Sequence, residues 1–271
     1  MKRIAAAAIS ALAVTAVASG ARPAKAPEPF ASKGSVSVCV DPTFPPMEYY
    51  AKVGSTTPTG FDVDLARAVA RRWGVKVALV PTGFTGLLPA LESQKCDLIW
   101  TGIFVTPDRT KQFPAVGYMK THRALLVKAG NPKRIRSPKD LSGRTVATQA
   151  GTKYVDALKA LDKRLRGQGK RGVKIQTYPK ASDAAASVFV GRADADLTQD
   201  TEAAFRITQT KGRFQIAYLY PQFDTFGVYY RRGDSAVGPA IRRELKALKT
   251  NGRMRTLAKK YHLPLRDLGL K

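Results

Sequence analysis

Apolar positions along the chain switch repeatedly between a two-residue and a helical spacing. Val36, Val38 and Val40 alternate as a short strand, broken by the rigid loop Asp41-Pro42-Thr43-Phe44-Pro45-Pro46. Phe61, Leu65, Ala68, Val69 and Trp73 fall on one face of a helix over Phe61 to Trp73, with Gly74 as its C-terminal stop. Val75, Val77 and Leu79 alternate as a second strand. Gly83-Phe84-Thr85 then introduces a helix carrying Leu87, Leu88 and Leu91, and Asp97 to Gly102 reads as a buried strand. Strand, helix, strand, helix, strand predicts right-handed βαβ units over a parallel sheet.

The pattern then restarts. Arg123 to Lys128 is a strand, and Gly130-Asn131-Pro132 breaks the chain. Strands over 145–149, 173–178 and 195–198 alternate with helices through Leu158 and Leu161 and over Ser182 to Val190. Phe226 to Tyr230 resumes a strand, followed by amphipathic helices from Pro239 to Lys249 and Met254 to Tyr261. The reading is α/β: two βα lobes, the second inserted into the first, joined by a hinge that crosses twice. The crossings fall near 120–125 and 220–225, with Pro221 at the return. Lobe 1 is 27–122 with 221–271, and lobe 2 is 123–220.

Residues 1–26 stand apart. Lys2 and Arg3 precede an apolar run from Ile4 to about Ala18, the pattern of a secretory signal peptide rather than a membrane span. Cleavage is expected after Gly20 or Ala26, and no cysteine nearby supports a lipid anchor. Export to the periplasm follows. The 271-residue chain carries a formal charge of +26, which falls to +22 without Lys2, Arg3, Arg22 and Lys25. Such a field favours anionic partners. The basic residues are scattered, however, and the one cluster, Lys163 to Arg171, has no interleaved aromatics, so nucleic acid is not expected. Cys39 and Cys96 are even in number, but strand register is expected to keep them apart, and no disulfide is expected. His122 and His262 have no metal-ligand spacing, so no metal or cofactor is expected.

Chemistry concentrates after the third strand. Thr106 is a candidate helix cap, Pro107 suits the first helical position, and Asp108 favours the positive end of the dipole. This turn delivers Arg109 toward the carboxyl ends of the strands, where ligands sit in such sheets. A guanidinium there, with the N–H of Gly102 beside it, suits a carboxylate; the alternative is an ordinary surface ion pair. Ala150-Gly151-Thr152 makes a similar turn in lobe 2, with backbone N–H groups at a helix N-terminus suited to an anion.

Asp41 to Pro46, Gly60 to Ala66, Leu87 to Leu91, Asp97 to Arg109, Leu141-Ser142-Gly143, Ala150-Gly151-Thr152 and Gly191 to Ala195 stand in order and spacing. In this the chain resembles the periplasmic polar amino-acid-binding proteins of ABC importers, bacterial extracellular solute-binding protein family 3. The resemblance covers almost the whole mature chain. It implies the type II periplasmic-binding-protein fold, one small ligand between the lobes, an ABC importer permease as partner, peripheral contact with that membrane complex, a monomer and no catalysis. By position it makes Arg109 the α-carboxylate clamp, with Gly102 and Thr152 as supporting donors. Phe44 and Phe84 become pocket walls and Asp41 a contact for a polar ligand side chain. Core packing for the phenylalanines, a loop-holding role for Asp41 and a simple cap role for Thr152 stay open.

Phe104 stands where the family has Thr or Ser. Gln199 stands where it has the Asp that grips the α-ammonium, with Asp200 next. Lys153 replaces a second Thr. These departures make an organic anion without an ammonium, or a modified amino acid, a candidate beside the ordinary amino acid. Two other readings stand: an exported cyclohexadienyl or arogenate-type dehydratase using Glu202, and a basic surface-binding or sensing protein with a degenerate cleft.

Overall fold

A computed structural model describes residues 25–270; the expected leader at 1–26 falls almost wholly outside them. The first part of the chain runs α1 (Phe30–Lys33), β1 (Ser35–Val40), β2 (Thr43–Phe44), β3 (Glu48–Tyr49), α2 (Phe61–Trp73), β4 (Lys76–Pro81), α3 (Leu87–Glu92), β5 (Leu98–Ile99) and α4 (Pro107–Thr110). A long strand, β6 (Ala115–Lys128), leads to β7 (Thr145–Gln149), α5 (Lys153–Gly167), β8 (Lys174–Tyr178), α6 (Ala181–Phe189), β9 (Ala195–Gln199) and α7 (Asp200–Gln209). A second long strand, β10 (Phe214–Tyr230), returns the chain to α8 (Val237–Thr250) and α9 (Arg253–Lys260).

One eight-stranded sheet has the order β4-β1-β5-β10-β6-β9-β7-β8. β1 pairs in parallel with β4 and β5, and β7 with β8 and β9, so the two ends of the sheet are βα units. Between them β6 and β10 pair antiparallel along most of their length. Both segments, 120–125 and 220–225, run inside these continuous strands. Polar Lys120, Thr121 and His122 hide β6 in the hydropathy pattern. Pro221 falls in the irregular step between Leu219 and Phe223, where no ladder bond requires its missing N–H.

Helix α2 has the expected boundaries. Its face of Phe61, Leu65, Ala68, Val69 and Trp73 is buried, and Gly74, at φ +70°, turns its N–H back to the carbonyls of Ala70 and Arg71. Full burial of a side chain such as Phe61 or Leu65 contributes about 1.5–3 kcal/mol. β5 is shorter than expected because the chain leaves the ladder before Gly102, which adopts φ +58°.

Cys39 and Cys96 form a disulfide, with Cα atoms 5.7 Å apart, which corrects the expectation that they stay separate. β1 and β5 are indeed parallel neighbours, with Cys39 opposite Ile99. Cys96, however, does not lie on the line of β5. Its N–H still bonds the Ala90 carbonyl at the end of α3. From there its side chain meets Cys39 among Leu87, Leu91 and Ile99. Replacing both cysteines with alanine should lower the unfolding free energy by about 2–4 kcal/mol. An unchanged denaturant midpoint would show that the bond carries no stability.

Candidate functional site

The loops that follow β1, β4, β5 and β7 converge at the carboxyl ends of their strands. The two-stranded ladder β2–β3 sets Phe44 opposite Glu48. Asp41, fixed by its N–H donating to the Thr101 hydroxyl at 2.7 Å, sits beside them. Pro107 starts α4 at its first position, and Thr106 has the extended backbone of a cap, though its hydroxyl makes no cap bond. One turn later Arg109 points inward and is 8% exposed.

A pocket with about 340 Å³ of empty space lies here. Asp41, Phe44, Phe84 and Gly102 line it together with Phe104 and Arg109, and Thr152 lines it from the start of α5. Seven of the nine residues read from the sequence thus share one site. Phe104, in place of a hydroxyl, makes an aromatic wall, stacked on Phe226 and edge-on to Tyr154 at 5.5 Å between centroids. Phe84 lies under the Arg109 guanidinium, whose Cζ is 5.6 Å from the ring centroid.

Gln199 and Asp200 do not line this pocket, which corrects their expected place. Asp200 is the first residue of α7. Its carboxylate accepts the Thr121 hydroxyl at 2.6 Å and the N–H of Thr201 at 2.8 Å, so it serves the crossing strand and its own helix. Gln199 is fully buried opposite Arg123 in the β6–β9 ladder, and its amide makes no protein hydrogen bond. Gly102 is present but in another role. Its N–H donates to Asp62 at 2.7 Å rather than into the pocket, and a Cβ there would stand 3.0 Å from the Phe44 ring. The Thr152 hydroxyl donates to the Gln149 carbonyl at 2.7 Å. What α5 offers the pocket is its N-terminus, where Thr152, Lys153 and Tyr154 line the space.

The Arg109 guanidinium donates to the Phe104 carbonyl at 3.1 Å, and the Tyr229 hydroxyl donates to the same oxygen at 2.6 Å. Among the described residues no carboxylate pairs with it. Burial pulls its pKa below the usual value for arginine. Across the pocket the balance is acidic. Burial pushes Asp41 up to about 6, against hydrogen bonds from Gln149 and Thr43 that lower it. Glu48 lies fully buried on the pocket lining, and burial, with Asp62 and Asp41 nearby, raises it well above the carboxylate range. Asp62, also raised, takes the Gly102 N–H and the Tyr118 hydroxyl on one oxygen. Burial thus favours the protonated form of Glu48 beside Asp62.

Three bonds link residues 41–108 to residues 149–181 around the pocket. Gln149 donates to Asp41 at 2.5 Å, the N–H of Ala181 to the Thr43 hydroxyl at 3.2 Å, and Lys153 to Asp108 at 3.0 Å. Glu48, Asp62, Gln149 and Tyr154 escaped the sequence reading. The available signal was an acid inside an apolar run: Met47-Glu48-Tyr49 and Phe61-Asp62-Val63.

Residues 36–264 match the model of the bacterial extracellular solute-binding proteins, family 3, and the chain belongs to that family. Its architecture is the type II periplasmic-binding-protein fold. It is 26% identical over 230 residues to an L-cystine-binding protein of Escherichia coli K12, covering 84% of this chain and 83% of that one. An arginine-binding protein of T. maritima superimposes with a TM-score of 0.77 at 29% identity, covering 86% and 97%. An ancestral amino-acid-binding protein, a precursor of cyclohexadienyl dehydratase, gives 0.75 at 31% identity, covering 86% and 96%.

Asp41, Glu48 and Asp62 bind protons more tightly in the folded chain than an unfolded carboxyl does. The native state therefore holds the extra protons, and the ligand-free protein loses stability as pH rises above about 4. Asp41 contributes to this loss until pH passes about 6. Asp41→Asn should flatten that part of the profile, gaining at most about 3 kcal/mol relative to wild type at pH 8 and nothing at pH 3.5. Parallel profiles for the two proteins in urea melts would contradict the assignment.

Proposed function

We propose that this protein is an extracytoplasmic solute receptor, working in the periplasm as a monomer. It captures an amino acid or related small carboxylate between two lobes, 27–122 with 221–271 and 123–220, and delivers it to an ABC importer. The observation that carries this is the buried, acid-free guanidinium of Arg109. A cation out of water is costly unless a partner meets it. A ligand carboxylate would supply that partner in a two-pronged, charge-assisted pair, with the N-terminus of α5 facing its other side. The aromatic walls would then exclude water from the pair. Family membership supports the reading, as do relatives that bind L-cystine and arginine.

Closure would be a hinge motion about β6 and β10, with the Lys153–Asp108 bond as a latch. Arg123 and Asp224 form a two-pronged ion pair across these strands, both contacts 2.8 Å. The dehydratase reading gains no support from Glu202. Its oxygens are taken by Thr198 and Arg206, and it lies outside the Arg109 pocket.

A thermal-shift panel on residues 27–271, pairing each amino acid with its analogue lacking the α-amino group, tests the reading. A true ligand at 100 times its Kd should add about 2.7 kcal/mol of stability. Arg109→Ala should weaken its binding by about 2–5 kcal/mol. If no carboxylate stabilises the protein, or if Arg109→Ala binds as wild type does, the reading fails.

A further inference from the structure

Asp196 lies in the middle of β9, opposite Leu126 of β6 and Ala147 of β7, and is 1% exposed. Neither of its carboxylate oxygens has a hydrogen-bond partner among the described residues. It lines a small cavity together with Thr198 and Glu202. Phe44, Gln149 and Tyr154 line both this cavity and the Arg109 pocket, so the two adjoin across those three side chains.

The two acids of the cavity differ. Glu202 is matched: the Arg206 guanidinium meets one oxygen at 3.0 and 3.2 Å, and the Thr198 hydroxyl meets the other. Asp196 is unmatched, and burial beside Glu202 raises its pKa well above the carboxylate range. An unpartnered buried acid is as conspicuous as the unpartnered guanidinium of Arg109, and once ionised by a cationic partner it is of opposite sign.

We propose that Asp196, backed by Glu202, forms an acidic sub-pocket that receives a cationic side-chain group of the ligand whose carboxylate lies at Arg109. Gln149 is the divider: its amide, now on Asp41, would swing aside to admit the ligand. The preferred solute is then an amino acid with a positively charged side chain. This rests on Arg109 being the carboxylate site, and the test separates the two claims.

Titration calorimetry of wild type with L-arginine against L-citrulline, and L-lysine against L-norleucine, compares side chains that differ in charge. The cationic member of at least one pair should bind at least about tenfold more tightly. Asp196→Asn, which keeps the side-chain shape, should reduce that preference to about parity with little change for the neutral member. Arg109→Ala should weaken both members of the pair. Equal binding within both pairs by wild type overturns the proposal, whatever the variant does. A preference that survives in folded Asp196→Asn, checked by its thermal melt, also overturns it. Arg109-dependent binding without a charge preference removes the sub-pocket and leaves the carboxylate site standing. If no member binds in an Arg109-dependent way, both claims fail.

Discussion

A guanidinium buried without a carboxylate sets the terms for this molecule. Arg109 is out of water, stacked over Phe84 and tied only to the Phe104 carbonyl. The fold goes to some length to hold it there. Pro107 starts the short helix α4, Tyr229 reaches from β10 to the same carbonyl, and the loops after three parallel strands close the space in front of it. A positive charge so placed is poor economy for stability alone. It becomes sensible when a ligand anion completes it, since the protein has already ordered one half of the pair.

The acids opposite follow the same logic with the sign reversed. Asp41, Glu48 and Asp62 are buried close together, and burial keeps protons on groups that would be ionised in water. Asp62 does structural work: it holds the Gly102 N–H and the Tyr118 hydroxyl, and so the turn that carries Phe104 toward the pocket. Asp196 has no such employment. The cleft is therefore polarised, with a cation on one side, buried acids on the other and aromatic rings between.

Much of this was legible in the chain. The apolar stripe of α2 and its Gly74 stop, the Thr106-Pro107 start of α4, the inward Arg109 and the alternation of strands and helices all rest on local rules. What escaped depends on distant partners. Cys96 reaches Cys39 because the chain comes off α3 at an angle, which strand register alone does not reveal. Only Arg123 to Lys128 and Phe226 to Tyr230 of the crossing strands β6 and β10 read as strand, because their more polar middles pair with each other. Asp200 was read as a ligand contact by position, yet Thr121 from the crossing strand claims it. Gln149 emerges only when the loop after β7 is folded against Asp41. Phe104 was read as a departure from the resemblance, and the structure sets its ring in the wall between Phe226 and Tyr154.

The most direct measurement is a crystal structure of the protein with whichever amino acid binds it most tightly. The account predicts the ligand carboxylate within about 3 Å of the Arg109 guanidinium and facing the first N–H groups of α5. A carboxylate bound elsewhere, with Arg109 still tied only to the Phe104 carbonyl, would contradict it.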